Sequence, residues 1–221
     1  MNNNSSLWAD ALRKLSRNKA ALSGGAIILI LIICSILAPW IAPYSYESMD
    51  FDQMGAAPSA QHLLGTDELG RDLLSRLLYG SRVSLMVGFI ATGVALVIGV
   101  SWGIVAGYIG GSVDTFMMRI VDILYGLPFI IFIILLVVIF EAKLWLIFAA
   151  IGAVEWLTMA RIVRGQVISL KNQEFVLAAQ AMGVSNMSMF RKHLFPNILG
   201  PIAVYATLTI PQVMLLEGFL S

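Results

Sequence analysis

Two apolar stretches decide what this chain can become. Ala26 to Ala38 is almost purely aliphatic, and Ile123 to Phe140 runs eighteen residues without a charge. A spanning helix needs roughly 20 apolar residues, because the hydrocarbon layer is ~30 Å thick and a helix rises ~1.5 Å per residue. In lipid, every backbone N–H and C=O has to be satisfied within the protein, and a helix does so within one segment. Composition agrees, at 59% hydrophobic and 12% charged residues, against about 45–50% and about 25% in soluble domains. The expected fold class is all-α, a polytopic transmembrane helical bundle. The single cysteine, Cys34, lies inside an apolar run, so no disulfide can form within the chain. The first apolar run is long and is followed by no small-residue cleavage pattern, so it reads as a span and not as a cleaved leader.

Taken in order, residues 1–21 are polar and basic, with Leu7, Trp8, Ala11, Leu12 and Leu15 at helical spacing. They predict a short helix on the cytoplasmic membrane surface with Trp8 at the interface. The first span covers residues 22–43, closed by Pro39 and Pro43. Residues 44–82 are an extracytoplasmic loop with six acids against three bases. Inside it, Thr66 or Asp67 is expected to cap a surface helix with Leu69, Leu73, Leu74, Leu77 and Leu78 on one face and an Asp72–Arg76 pair. The core, 83–221, holds four further apolar segments. The second runs from about Val83 to Tyr108 with small residues (Gly88, Gly93, Gly99, Gly103, Gly107) that let helices approach closely. After Gly110-Gly111, Ser112 caps the next helix, with Asp114 in its first turn and Arg119 paired to Asp122 near the inner end. The third span reaches Phe140 and is kinked at Gly126-Leu127-Pro128. Glu141-Ala142-Lys143 turns outside, the fourth span is about Leu144 to Val163, and the fifth runs from about Ile198 to Ser221.

Charge fixes the expected orientation. Ten bases fall on the side of the N-terminus and of residues 164–197, and four on the other. The positive-inside rule places the N-terminus and that loop in the cytoplasm.

Within this loop, Glu174 to Pro196 is polar, basic and short. Glu174 to Met182 are good helix formers. Gly183 stands where a helix would place a residue of positive φ. Ser185 can cap a second short helix, Asn186 to Phe195, and Pro196 is expected to stop it. A helical hairpin held on one membrane face is suited to docking in another protein's groove.

The spacing Ala178-Ala179, three residues, Gly183, then Leu194-Phe195-Pro196 resembles the EAA loop of ABC importer permeases. Leu177 stands where that pattern has Glu, His193 where it has Ile and Phe195 where it has Leu; Glu174 lies one turn earlier. His62 to Leu85, HLLGTDELGRDLLSRLLYGSRVSL, closely resembles the segment before the second span in the dipeptide and oligopeptide branch, and nearly the whole chain, from Trp8 to Ser221, is similar to the oligopeptide permease C-type subunit. The resemblance implies an ABC type I importer permease, with five spans here and a sixth expected beyond residue 221. It implies a second homologous permease subunit, two ABC ATPase subunits, an extracytoplasmic peptide-binding protein and a place in the bacterial inner membrane. It also implies that Glu174, Ala178, Ala179, Gly183 and Pro196 belong to the ATPase-docking loop. Dipeptide, glutathione and nickel-complex permeases share the pattern.

The chain contains no G-x-x-x-x-G-K-[ST], so no ATPase site of that kind. The expectation is a transport subunit without a catalytic or metal site and without nucleic acid as a partner. No cofactor is expected in this chain; ATP and Mg belong to the partner ATPases. Glu155, and Glu217 with it, are ionisable groups at membrane depth and therefore candidates for a peptide pathway. The bland alternative is a Glu bonded between helices. The rival from another class is a proton-driven carrier centred on Glu155.

Overall fold

The computed structural model describes residues 13–128, 131, 139 and 144–220. Among them the named elements are all helical, with one bridge pair between Thr66 and Asp72. The chain divides into two compact units, residues 1–85 and 86–221. The predicted surface helix at the N-terminus falls mainly on residues 1–12, and most of the third span, the outer turn at 141–143 and Ser221 also lie outside the described residues.

In the first unit, α1 (Lys19–Ile41) is opened by Asn18, whose side chain accepts from the Ala21 N–H at 3.1 Å. Its 23 residues reach ~35 Å, enough to cross the hydrocarbon layer. Pro39 is inside the last turn, and the helix stops at Ile41, before Pro43. The aliphatic side chains of Ile27 to Leu31 are exposed and only Ser35 and Ala38 are buried. An aliphatic surface of this kind is compatible with hydrocarbon around it.

The loop that follows is a compact polar knot. A 3-10 turn, Phe51–Gln53, is capped by the Asp50 carboxylate. No separate surface helix precedes the second span. Helix α2 (Leu73–Ile109) is continuous for 37 residues. Its cap is Asp72 and not Thr66 or Asp67: Asp72 Oδ2 accepts from the Ser75 N–H and hydroxyl, both at 2.8 Å. With Asp72 so used, Arg76 turns to Asp67 and the expected Asp72–Arg76 pair does not form.

In the second unit, α2 ends at Gly110 (φ +72°) and Gly111 (φ +57°), where the chain reverses into α3 (Gly111–Tyr125). The N-cap position belongs to Gly110 without a side-chain bond, so Ser112 lies inside the first turn and caps nothing. Asp114 is in that turn as expected. Helix α3 ends at Gly126, two residues before Pro128, with the Gly126 N–H closing on the Asp122 carbonyl at 3.0 Å; the course of the expected kinked span beyond it falls mostly outside the described residues. Helix α4 (Leu144–Lys171) follows, then α5 (Glu174–Ala181), the single turn α6 (Asn186–Met189), a π turn (Phe190–Leu194) and α7 (Phe195–Leu220).

Three glycines on α2, spaced by four, lie along α4. A Cβ on Gly99 would sit 2.7 Å from the Trp156 carbonyl oxygen, and one on Gly107 2.9 Å from that of Arg164. In lipid the drive to associate is close packing, since apolar surface alone gains nothing by leaving acyl chains. Helices α2, α3 and α4 share a core of Ala95, Val121, Trp156, Leu157 and Ala160, with Trp102 edge-on to Trp156 at 5.3 Å. Helices α4 and α7 meet through Met159, Val163, Val167, Ile198 and Ile202.

Candidate functional site

The hairpin from Glu174 to Pro196 owes its shape to one glycine. Gly183 has φ +77°, and around it α5 closes as a Schellman motif. The Gly183 N–H donates to Gln180 at 2.9 Å and the Val184 N–H to Ala179 at 3.2 Å, satisfying two of the carbonyls a helix end leaves open. Val184 then packs on Val176, Ala179, Met189 and Leu194.

Ala179 is 3% exposed and faces the chain's own core, so its small side chain serves packing within the hairpin. The face turned outward carries Glu174, Phe175, Leu177 and Ala178, continued by Met182, 77% exposed. Pro196 does not stop the second helix. It lies in the first turn of α7, directly after the π turn. Proline has no N–H to give. The wider turn accommodates that: the Phe195 N–H reaches back to Phe190, and the Asn197 side chain donates to the His193 carbonyl at 2.6 Å.

Behind the hairpin, α4 carries a run of cations. Arg164 grips Asp114 with two bonds, Nε to Oδ1 at 2.5 Å and Nη2 to Oδ2 at 2.6 Å. Those bonds hold the Asp114 carboxyl below the usual carboxylate range against the opposing effect of burial, and Asp114 in turn raises Arg164. Asp122 pairs with Arg161 at 2.7 Å, not with Arg119; the Arg161 guanidinium also lies over the Tyr125 ring at 4.3 Å. Lys171 Nζ donates to the Tyr108 carbonyl at 2.8 Å.

Residues 99–221 match the family described as the inner membrane component of binding-protein-dependent transport systems. Residues 6–58 match the N-terminal transmembrane domain of oligopeptide transport permease C. The chain belongs to this permease family. It is 49% identical to the oligopeptide transport system permease protein OppC of Haemophilus influenzae, over 98% of this chain and 70% of that protein. It is 47% identical to OppC of Escherichia coli K12, over 98% of this chain and 72% of the relative. The dipeptide transport system permease protein DppC of Bacillus subtilis is 45% identical over 96% of this chain, which spans 66% of that relative's length. Family and helices together make this a multi-pass inner-membrane protein: among the described residues three helical stretches, Lys19–Ile41, Leu73–Ile109 and Phe190–Phe219, are long and apolar enough to cross a membrane.

In this permease the sequence-predicted residues fall into two groups. Glu174, Ala178, Ala179 and Gly183 share α5 and its C-terminal cap, and Pro196 stands beyond the π turn. Glu155 is half-buried on α4, and Glu217 is buried on α7 at 7% exposure. Sequence reasoning missed the Arg164–Asp114 clamp. The only local signal was an acid in the first turn of α3, where the helix dipole already favours one.

The loop between α1 and α2 was legible as a motif but not as a mechanism. His62 Nδ1 meets Asp72 Oδ1 at 3.0 Å, and the Tyr44 ring stacks on His62 at 4.8 Å. Burial pushes the Asp72 carboxyl up, but the Ser75 N–H, His62 and the Ser75 hydroxyl outweigh it and hold it low. Burial likewise raises Asp67, and the N–H groups of Arg71 and Leu69 with the guanidinium groups of Arg71 and Arg76 bring it far below the carboxylate range. A Cβ on Gly70 (φ +71°) would run into the Asp50 backbone. Both carboxyls are lower in the fold than in the open chain, so their stabilisation is complete above pH ~4 and is lost as pH falls further. Hydrogen exchange of residues 50–76 is therefore expected to be flat from pH 7 to about 5, once corrected for intrinsic rate, and to accelerate below ~4. Asp72→Ala removes a cap worth ~1 kcal/mol and strands His62. It is expected to raise trypsin cleavage at Arg71 and Arg76 about tenfold; unchanged cleavage would show that the knot does not depend on Asp72.

Proposed function

We propose that this chain is the C-type permease subunit of an ABC importer that carries oligopeptides into the cell, driven by ATP hydrolysed on partner subunits. The observation that carries the reading is the hairpin. It is closed by a positive-φ glycine, cemented from behind by Val176, Ala179, Met189 and Leu194, and presents Phe175, Leu177 and Met182 on its exposed face beside Glu174. The positive-inside count supports a cytoplasmic position for the N-terminus and for residues 164–197, the side on which ATP is found. Two ATPase subunits would dock there, one under this hairpin and one under that of a second homologous permease subunit. Glu174 and Ala178 lie on the exposed face of this one. An extracytoplasmic binding protein would deliver the peptide, and Glu155 with Glu217 would meet it along the pathway. The oligopeptide assignment rests on the two OppC relatives; a dipeptide is the second reading, favoured by the DppC relative. The chain itself is a transport subunit, with ATP and Mg on its partners.

The test is uptake of labelled tetra-alanine into vesicles that contain the assembled transporter. ATP inside the vesicles is expected to drive accumulation that survives collapse of the proton gradient. Accumulation that ignores ATP and follows the gradient would overturn the reading in favour of a proton-driven carrier.

A further inference from the structure

Helix α4 grips the α2–α3 turn on both sides. The turn itself is two residues of positive φ, Gly110 and Gly111. Tyr108 precedes it and Asp114 follows it. Arg164 and Lys171 are seven residues apart on α4, two helical turns and so on one face. Arg164 holds Asp114 through a bidentate fork, the geometry in which a guanidinium fixes both position and angle. Lys171 holds the Tyr108 carbonyl at 2.8 Å, one of the last carbonyls of α2, where a helix end leaves acceptors unfilled. The Tyr108 ring belongs to the hairpin's own core: it packs on the cluster of Val176, Ala179, Met189 and Leu194 and meets Phe190 at 6.2 Å. At the other end of α3, Arg161 holds Asp122 at 2.7 Å. A push on the hairpin therefore reaches α3 by two routes, through Tyr108 and through the Arg164–Asp114 fork.

We propose that the α2–α3 turn is a second coupling element of the permease, and that Arg164 and Asp114 are the positioning residues that make α3 move with the hairpin. The inference rests on the coupling reading given under Proposed function. A packed, hydrogen-bonded body of this kind moves as a unit, whereas a hinge absorbs displacement in a few backbone angles. Breaking the fork turns the two-glycine turn into such a hinge. ATP is then still hydrolysed, but the motion is lost before it reaches α3.

The experiment uses the complete transporter, with its partner permease, ATPases and binding protein, in proteoliposomes. It reads labelled tetra-alanine taken up per ATP hydrolysed. Asp114→Asn keeps the shape and removes the charge; it is expected to lower that ratio at least fivefold with hydrolysis near normal. Arg164→Lys keeps the charge without the fork and is expected to lower it two- to threefold. The exchange Asp114→Arg with Arg164→Asp is expected to bring the ratio back to within twofold of the parent. A merely structural role would change the amount of assembled protein and leave the ratio alone, and that result overturns the proposal. An unchanged ratio in Asp114→Asn, or an exchange no better than its worse single variant, also overturns it. Gly183→Val in the same preparation separates the two levels. If it lowers the ratio and Asp114→Asn does not, only the second coupling element fails; if neither lowers it, the coupling reading fails too.

Discussion

Gly103→Leu is expected to reduce the assembled permease in the membrane to a tenth or less of the parent level, measured by quantitative blotting of detergent-extracted complex. A Cβ at Gly103 would lie 2.5 Å from the Ala160 carbonyl oxygen, 2.8 Å from the Val163 Cβ and 2.9 Å from the Arg164 N. None of these atoms can rotate away, because all are backbone or directly attached to it. The helices would have to separate by an ångström or more, and Gly99 and Gly107 would separate with them. Overpacking at one site costs about 1–3 kcal/mol, and close approach is the main attraction available to helices in lipid. The control is Gly93→Leu, a glycine of the same helix with nothing within 4 Å of its Cβ position. It is expected to leave the level within twofold of the parent. Equal loss in both variants would show that the helix merely disfavours bulk, and the stripe would have no special role.

Gly183→Val is expected to leave insertion and assembly intact and to cut peptide uptake at least tenfold, with ATP hydrolysis continuing. Here space is not the obstacle, since nothing lies within 4 Å of the Cβ position. The obstacle is φ of +77°. An L-residue loses ~1–2 kcal/mol in that region, and a β-branched one is a clear outlier there. Valine would draw the backbone back to negative φ and break the bonds from Gly183 to Gln180 and from Val184 to Ala179. The hairpin would then hang from α4 as two uncoordinated turns. Gly183→Asn, whose side chain tolerates the left-handed region, is expected to keep at least half of the uptake. Normal uptake by the valine variant at equal membrane levels would remove the hairpin from the transport mechanism.

These two glycines mark how the molecule could and could not be read. Gly183 was legible because the demand is local: a run of helix formers that ends on a glycine needs a positive-φ cap whatever surrounds it. Gly103 was legible only as a small residue in a span, because the atoms it admits belong to α4, more than fifty residues on. Spans of apolar length and the glycine that closes the first half of the hairpin are likewise local or additive quantities, and the sequence by itself determined them. Pairing was different. Asp122 stands three residues from Arg119 but bonds Arg161, 39 residues away; Asp114 bonds Arg164, 50 residues away; Arg76 passes over Asp72 for Asp67 because the cap of α2 has already taken Asp72. Ala179, one of the residues named for that loop, turns inward because the Schellman closure fixes which side of α5 meets Val184 and Leu194. Only the tertiary structure decided these points, since a charge chooses its partner by distance in space and a helix chooses its buried face by what is packed behind it.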